Sequence, residues 1–366
     1  MLKQADIIKK HAVDGYLYGR VGEDHFVVIA DEATFNEEYL YECRETLQNV
    51  LSDSVYNVRV CFGIYRTDNM NESLSFMCDK ASFAVASIKD DTHSFIAYYD
   101  DTMLEAAIKY KTIVDEFDDA IKAGEFKMYL QPQISAKTRR LTGAEALVRR
   151  IKPDGTIISP IDFIPVYEKS GLISRLDRYI WEQAAAKLGE WKKAGINMSI
   201  SVNISPKDFY YIDIFNTFAG LIKKYDIEPS NLKIEITETT IMSDVPNLMG
   251  ELEELRKAGF TLEMDDFGSG YSSLNTLKDI NVDVLKVDMG FIKETKNVKK
   301  SRIILASVIK MAKELNLLII TEGVETEEQV DNLTKLGCDV FQGYYFSKAI
   351  DVNEFEKRYL YRKKAG

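Results

Sequence analysis

The sequence has 366 residues, 46% of them hydrophobic, with a formal net charge of −11 and a pI near 5.1. That length supports a sizeable core and predicts two domains, while the acidic balance excludes a protein that grips DNA or RNA through a broad basic surface. No apolar run approaches the length of a bilayer, and MLKQADIIKKHAVDG at the start lacks a signal-peptide core, so the expectation is a cytoplasmic protein, with room for a membrane anchor upstream of this sequence.

Along the first hundred residues, VGEDHFVVIA and VYNVRVCFGIY read as strands of one sheet, and FNEEYLYECRETLQNVL and ESLSFMCDKASFAVASI carry helical apolar spacing. This predicts a small α+β unit over residues 1–102. Residues 103–123 form a charged amphipathic helix closed by Gly124 as its C-terminal cap, a connector between domains. From residue 125 onward the pattern changes to strand–helix alternation. FKMYLQPQI, TGAEALVRR, MSISVNIS, LKIEITE, FTLEMDD, VDVLKVDM, LLIITEGV and VFQGYYFS are the candidate strands, and RLDRYIWEQAAAKLGEWKKAG and KKSRIILASVIKMAKEL are two of the helices. Such alternation predicts a parallel sheet closed into a barrel of α/β class. Two strand patterns open it without a helix between them, so the barrel is expected to begin with a hairpin and to be imperfect.

A polar residue stands at or near each strand's carboxyl end: Glu145, Asn203, Glu235, Asp265 with Asp266, Lys286 with Asp288, Glu322 and Gln342. Taken alone, Glu145 reads as a surface carboxylate, Asn203 as a cap of the next helix with Ser205 and Pro206 at its start, and Glu322 as a strand-end turn. Lys286 is harder to place, because a lysine inside VDVLKVDM needs a carboxylate partner or a functional reason. Taken together, strand ends that converge on one face of a barrel predict a cage of oxygen ligands. Carboxylates so crowded repel one another unless divalent cations neutralise them. The three histidines, His11, His25 and His93, all lie in the first hundred residues, and Cys43, Cys61, Cys78 and Cys338 form no short-spaced pair. Carboxylate and amide oxygens favour Mg²⁺ or Mn²⁺. The chemistry suggested is metal-assisted hydrolysis, with Lys286 orienting a water or neutralising charge and Arg149 gripping a phosphate oxygen of a phosphodiester.

Residues 125 to about 352 resemble the EAL-domain cyclic-di-GMP phosphodiesterases. The name is spelled by Glu145, Ala146 and Leu147, and the further signatures are QPQ (131–133), FIP (163–165), VNIS (202–205), EITE (235–238), DDFGSGYSSL (265–274), KVD (286–288), EGVET (322–326) and QGYYFS (342–347). The resemblance implies an imperfect TIM-like (β/α)8 barrel that cuts cyclic di-GMP to linear pGpG with one or two Mg²⁺ or Mn²⁺ ions. By position it implies metal ligands at Glu145, Asn203, Glu235, Asp265, Asp266, Asp288 and Glu322. It further implies catalytic roles for Lys286, Glu322 and Glu145, and substrate contacts from Gln131, Leu147, Arg149 and Gln342. Glu238 would anchor the loop 268–274, and a homodimer would form through the EAL domain. Ser269 stands where threonine is usual, Arg150 where tryptophan is common and Tyr167 where alanine is usual. The last two would touch substrate-side packing.

Residues 1–102 resemble the second half of a GGDEF diguanylate cyclase domain in degenerate form. Arg20 precedes Gly22, Glu23, Asp24, His25 and Phe26, so a bulky charge replaces the second glycine and His25 occupies the catalytic acidic position. Val13 and Tyr16 stand where an inhibitory RxxD would lie. The resemblance therefore implies a non-catalytic regulatory partner, with GTP sensing or a purely structural role open to it. For the barrel, a catalytically silent receptor of cyclic di-GMP or a protein-interaction module is the competing expectation.

Overall fold

The computed structural model describes every residue except 1, 12–15, 23–24, 52–58, 68, 70, 90, 92, 244, 246, 268–276, 279, 291–297 and 362–366. Val13, Glu23, Asp24, Ser269 and the loop 268–274 lie outside the described residues. The chain divides into two compact units, Met1–Thr112 and Ile113–Gly366.

In the first unit, β1 (Leu17–Arg20) and β2 (Phe26–Ile29) form an antiparallel hairpin. The strands β3 (Phe62–Ile64) and β4 (Ile96–Tyr98) pair in parallel. Helices Glu38–Leu51 and Leu74–Ser87 lie where apolar spacing predicts them, the second capped by Ser73 accepting from Phe76 N. The expectation of one sheet is corrected: among the described residues, β2 and β3 belong to separate two-stranded sheets. Strands of three or four residues carry too little alternation to report which neighbour they pair with. Tyr16 is buried, its hydroxyl donating to Thr34 O at 2.9 Å.

The connector is likewise two helices, Asp101–Asp115 and Phe117–Lys122, interrupted at Glu116. Gly124 ends the second with φ 66°; its N–H reaches Ile121 O at 3.0 Å while Glu125 N–H reaches Ala120 O at 2.9 Å. This is the Schellman pattern, for which glycine is favoured because it alone lacks a Cβ to clash at positive φ.

The second unit is a closed barrel of eight strands. Its strands are β5 (Phe126–Ser135), β6 (Leu141–Ile151), β8 (Ile200–Ile204), β9 (Leu232–Thr237), β10 (Leu262–Asp265), β11 (Val284–Asp288), β12 (Leu318–Glu322) and β13 (Val340–Phe341). The short β7 (Ile157–Ile158) and β14 (Ile350–Asp351) extend the sheet outside the ring. As the two consecutive strand patterns predict, β5 and β6 form a hairpin, and β5 runs antiparallel to β13 as well. The remaining ring pairs are parallel. VFQGYYFS, read as a full strand, contributes only Val340 and Phe341 before the chain turns.

Between barrel and helices lies the main core. Helix Ile173–Lys193 turns Ile173, Leu176, Ile180, Trp181, Ala184, Leu188 and Trp191 inward, the three- and four-residue spacing of one helical face. Each large side chain so buried contributes about 1.5–3 kcal/mol. Trp181 also donates from Nε1 to Asn203 O at 2.9 Å, tying this helix to the end of β8.

Arg150 and Tyr167 belong to this outer layer, which corrects their expected substrate-side placement. Alternation along β6 sends Arg150 to the face opposite Glu145 and Arg149. There it pairs with Glu116 at 2.6 Å and Glu125 at 2.9 Å, while Tyr167 packs against Phe117, Phe126 and Phe163.

Candidate active site

Period-two alternation places Glu145, Asn203, Glu235, Asp265, Lys286, Asp288 and Glu322 on the lumen side of their strands, Glu145 in the middle of β6, Lys286 in the middle of β11 and the others in the carboxyl-terminal half of theirs. Lys286 is the centre. Its side chain is 0% exposed, and its ammonium lies 2.6 Å from Glu322 Oε1, 2.9 Å from Glu235 Oε2, and 3.4 Å from both Glu145 Oε2 and Asp265 Oδ2. Burial alone would depress a lysine. These carboxylates, Asp265 and Glu145 foremost, outweigh it and raise Lys286 well above its ordinary value. The lysine inside VDVLKVDM is thus a fixed positive charge.

The other predicted residues gather around it. Asn203 Nδ2 donates to Glu145 Oε1 at 3.3 Å, which brings Asn203 on β8 beside Glu145; the following short helix, Asp208–Tyr211, has Lys207 at its cap. Gln342 Nε2 donates to Glu145 Oε2 and to Gln131 Oε1, the latter at 3.2 Å, and Gln131 Nε2 donates to Ser347 O at 3.2 Å. Asp266 has φ 55°, and its N–H donates to Asp265 Oδ1 at 2.8 Å. This left-handed residue ends the strand. Burial, then the nearby Asp265, raises the Asp266 carboxyl, so it shares the field of the cluster. Asp288 pairs in register with Glu322 on β12 and accepts from Gly290 N at 2.7 Å. Arg149 and Leu147 lie further along β6; the Arg149 guanidinium donates to Val148 O at 2.7 Å and sits 5.9 Å from the Tyr129 ring centre. Glu238 is buried in the first turn after β9; the loop it is expected to anchor lies outside the described residues.

Whether these residues suit a divalent ion is answered by Glu235. It is 0% exposed, yet neither carboxylate oxygen takes a well-aligned hydrogen bond. The Lys286 ammonium at 2.9 Å compensates Oε2, and the acceptor capacity left over is what a divalent cation would take. The donors are oxygens, as hard cations require. Among the described residues no three carboxylates stand preassembled around an ion position; four of them lie within 3.4 Å of the Lys286 ammonium instead. The donor set is of the kind that suits a hard divalent cation, in competition with that ammonium.

Glu322 is the second perturbed acid. Burial pushes it up to about 8, with Lys286 pulling down and Asp265 and Glu145 pushing further up. Glu235 is raised well above the carboxylate range, first by burial and then by Glu145. A carboxyl raised on folding holds a proton that the unfolded chain releases. Its stabilisation is complete below the unfolded value near 4.5 and is lost as pH rises toward the folded one. In the presence of EDTA the melting temperature is therefore expected to fall between pH 6 and pH 8, and Glu322→Gln is expected to flatten that slope. A wild-type melting temperature constant across this window counts against the assignment.

With this geometry in hand, comparison with known proteins gives the family. A family model described as the EAL domain matches residues 114–349. The chain belongs to the EAL-domain family. It is 31% identical over 350 residues to the signaling protein YkoW of Bacillus subtilis, covering 94% of this chain and 44% of that protein. Over 342 residues it is 29% identical to MucR of Pseudomonas aeruginosa, a bifunctional diguanylate cyclase/cyclic di-GMP phosphodiesterase, covering 92% of this chain and 50% of that one. Among solved structures, a complex of the PaMucR phosphodiesterase with c-di-GMP superimposes with a TM-score of 0.63 at 32% identity, over 67% of this chain and 99% of that one. The chain spans about half the length of the curated relatives it matches.

In this EAL barrel the sequence reading missed four lumen residues: Gln133, Ser201, Lys233 and Glu263. Each lies two positions before a site residue on its strand or, for Gln133, two after Gln131, so alternation puts them on the same inward face. That signal was available in SISVN, LKIE and LEMD, where polar residues recur at a spacing of two.

Proposed function

We propose that this EAL domain hydrolyses cyclic di-GMP to linear pGpG. The carrying observation is Lys286, wholly buried and ion-paired with Glu145, Glu235, Asp265 and Glu322 at the strand ends. Such a cluster is costly as a structural device, and it lies where barrels of this type carry their chemistry. The complex of PaMucR with c-di-GMP supplies the ligand class.

Glu145, Asn203, Glu235, Asp265, Asp266 and Asp288, with Glu322 at their edge, would hold Mg²⁺ or Mn²⁺. Bound there, one or two such ions supply an acidified water and neutralise the developing charge. Lys286 lies 2.6 Å from Glu322 Oε1 and holds that carboxylate in place as the group that receives the proton released by the attacking water. One phosphodiester P–O bond breaks, hydroxide adds to phosphorus, and the leaving oxygen takes a proton. Gln131 and Gln342, joined to each other beside Glu145, orient the substrate together with Leu147, and Arg149 pairs with a phosphate oxygen.

The proposal extends to the rest of the chain. The β1–β2 hairpin, whose turn is closed by Val21 N–H to His25 O at 3.0 Å, corresponds to the degenerate GGDEF-like loop. We assign this unit a non-catalytic regulatory role with GTP as its candidate ligand, and the EAL barrel a homodimeric state in the cytoplasm. Among the described residues no helix is long and apolar enough to cross a membrane.

Chromatography of cyclic di-GMP incubated with the protein in Mg²⁺, Mn²⁺ or EDTA tests the reading. Metal-dependent pGpG that disappears in Glu145→Ala is the expected outcome. Intact cyclic di-GMP in every reaction, from folded protein that binds it, would make the barrel a receptor. Isothermal titration with GTP and the solution mass of the dimer test the two secondary assignments.

A further inference from the structure

Glu235 and Glu263 are register partners on adjacent strands, both facing the lumen and both 0% exposed. Their partners differ sharply. Glu263 has both oxygens engaged: Oε1 lies 2.9 Å from Lys233 Nζ, and Oε2 accepts from Ser201 Oγ at 2.8 Å. Neither oxygen of Glu235 takes a well-aligned hydrogen bond. Lys233 sits one pleat below Glu235 on β9, and Ser201 one pleat below Asn203 on β8. On the opposite side of the lumen the corresponding layer is apolar, formed by Val284, Ile320 and Val340. A lumen able to fill half of this layer with aliphatics places an ion pair under Glu235 instead. Buried ion pairs seldom add net stability over apolar replacements, whereas removing one member is strongly destabilising. Stability therefore does not explain the pair.

We infer that Lys233 and Glu263 are positioning residues for the cation site: an internally neutralised pair, pinned by Ser201, that keeps the Glu263 charge and the Lys233 ammonium from competing at Glu235. If Lys233 is lost, Glu263 competes with Glu235 for the Lys286 ammonium. If Glu263 is lost, Lys233 turns to Glu235, beside the contact that Lys286 already makes there, and competes with an incoming ion. Either loss weakens the grip of Glu235 on a divalent cation, and removing both together restores it. This rests on the reading of Glu235 as a metal ligand.

The test is a double-mutant cycle read by Mn²⁺ binding, using Mn²⁺ alone and the electron paramagnetic resonance of the free ion, beside the melting temperature of each protein in EDTA. Lys233→Met and Glu263→Gln are each expected to raise the Mn²⁺ Kd by about 10-fold or more, the usual scale for a residue supporting a ligand. Lys233→Met with Glu263→Gln is expected to return it to within about 3-fold of wild type, a coupling that only interacting residues show. Where Lys233→Met does not fold, Glu263→Gln carries the single-variant arm. Folded single variants with wild-type Kd, whatever their melting temperatures, would reduce the pair to a structural element and overturn the inference. A double variant as weak as the singles would overturn it equally. Wild-type protein that binds no Mn²⁺ would instead overturn the metal-site reading itself.

Discussion

Replacing Lys286 by methionine is expected to lower unfolding free energy by roughly 3–5 kcal/mol and to cut hydrolysis of cyclic di-GMP by about 100-fold or more. Both effects come from one displacement. Glu145, Glu235, Asp265 and Glu322 would face one another without the ammonium that now lies 2.6–3.4 Å from each. Protonation of Glu235 and Glu322, already raised by burial, relieves part of the repulsion, so the loss should grow with pH. Saturating Mn²⁺ should recover stability more than activity, because an added ion neutralises the carboxylates without restoring Lys286's hold on Glu322. Urea midpoints with and without Mn²⁺, beside product chromatography, measure the two effects; an unchanged midpoint together with unchanged turnover would remove Lys286 from the centre of the site.

Gly343→Ala is the second large expected effect, roughly 3 kcal/mol or more of destabilisation. A Cβ there would stand 2.2 Å from Val324 O and 2.3 Å from Val324 N, with the backbone at φ 154°. Those neighbours are main chain held by the Gln342 carbonyl, which accepts from Val324 N–H at 3.1 Å, so they cannot rotate away. Relief requires separating the turn after β12 from the end of β13. That movement carries Glu322 away from Lys286 and Gln342 away from Glu145. The melting temperature and the Mn²⁺-dependent rate should fall together, and a variant with wild-type values of both would show that the two turns separate without cost.

Much of the barrel was legible because its signals are local. Period-two apolar runs alternating with helical spacing marked the strands, and the polar residue closing each run marked Glu145, Asn203, Glu235, Asp265 and Glu322. Lys286 announced itself as a charge with no apolar explanation. Other features escaped for equally physical reasons. Lys233 and Glu263 lie inside their strands, two residues before the polar residue near each strand's end, although alternation gives them the same face. Arg150 was assigned to the substrate side, yet it lies one residue beyond Arg149, and one step along a strand reverses the face. In the first unit, strands as short as Phe62–Ile64 gave no indication of which neighbour they would join. The break at Glu116 and the shortness of β13 carry no local mark in the sequence.

By itself, then, the sequence determined the α/β class, the order of the elements, the resemblance to EAL domains and the set of carboxylates and amides available for chemistry. These follow from neighbours in the chain, where side-chain period and residue type suffice. Tertiary structure alone decided that β5 closes the ring by pairing Ser135 with Val340, that one ammonium gathers four carboxylates from four other strands, and that Glu263 is held by Lys233 and Ser201 while Glu235 faces Lys286. Those outcomes depend on contacts between residues far apart in sequence, whose distances no local pattern contains until the barrel closes.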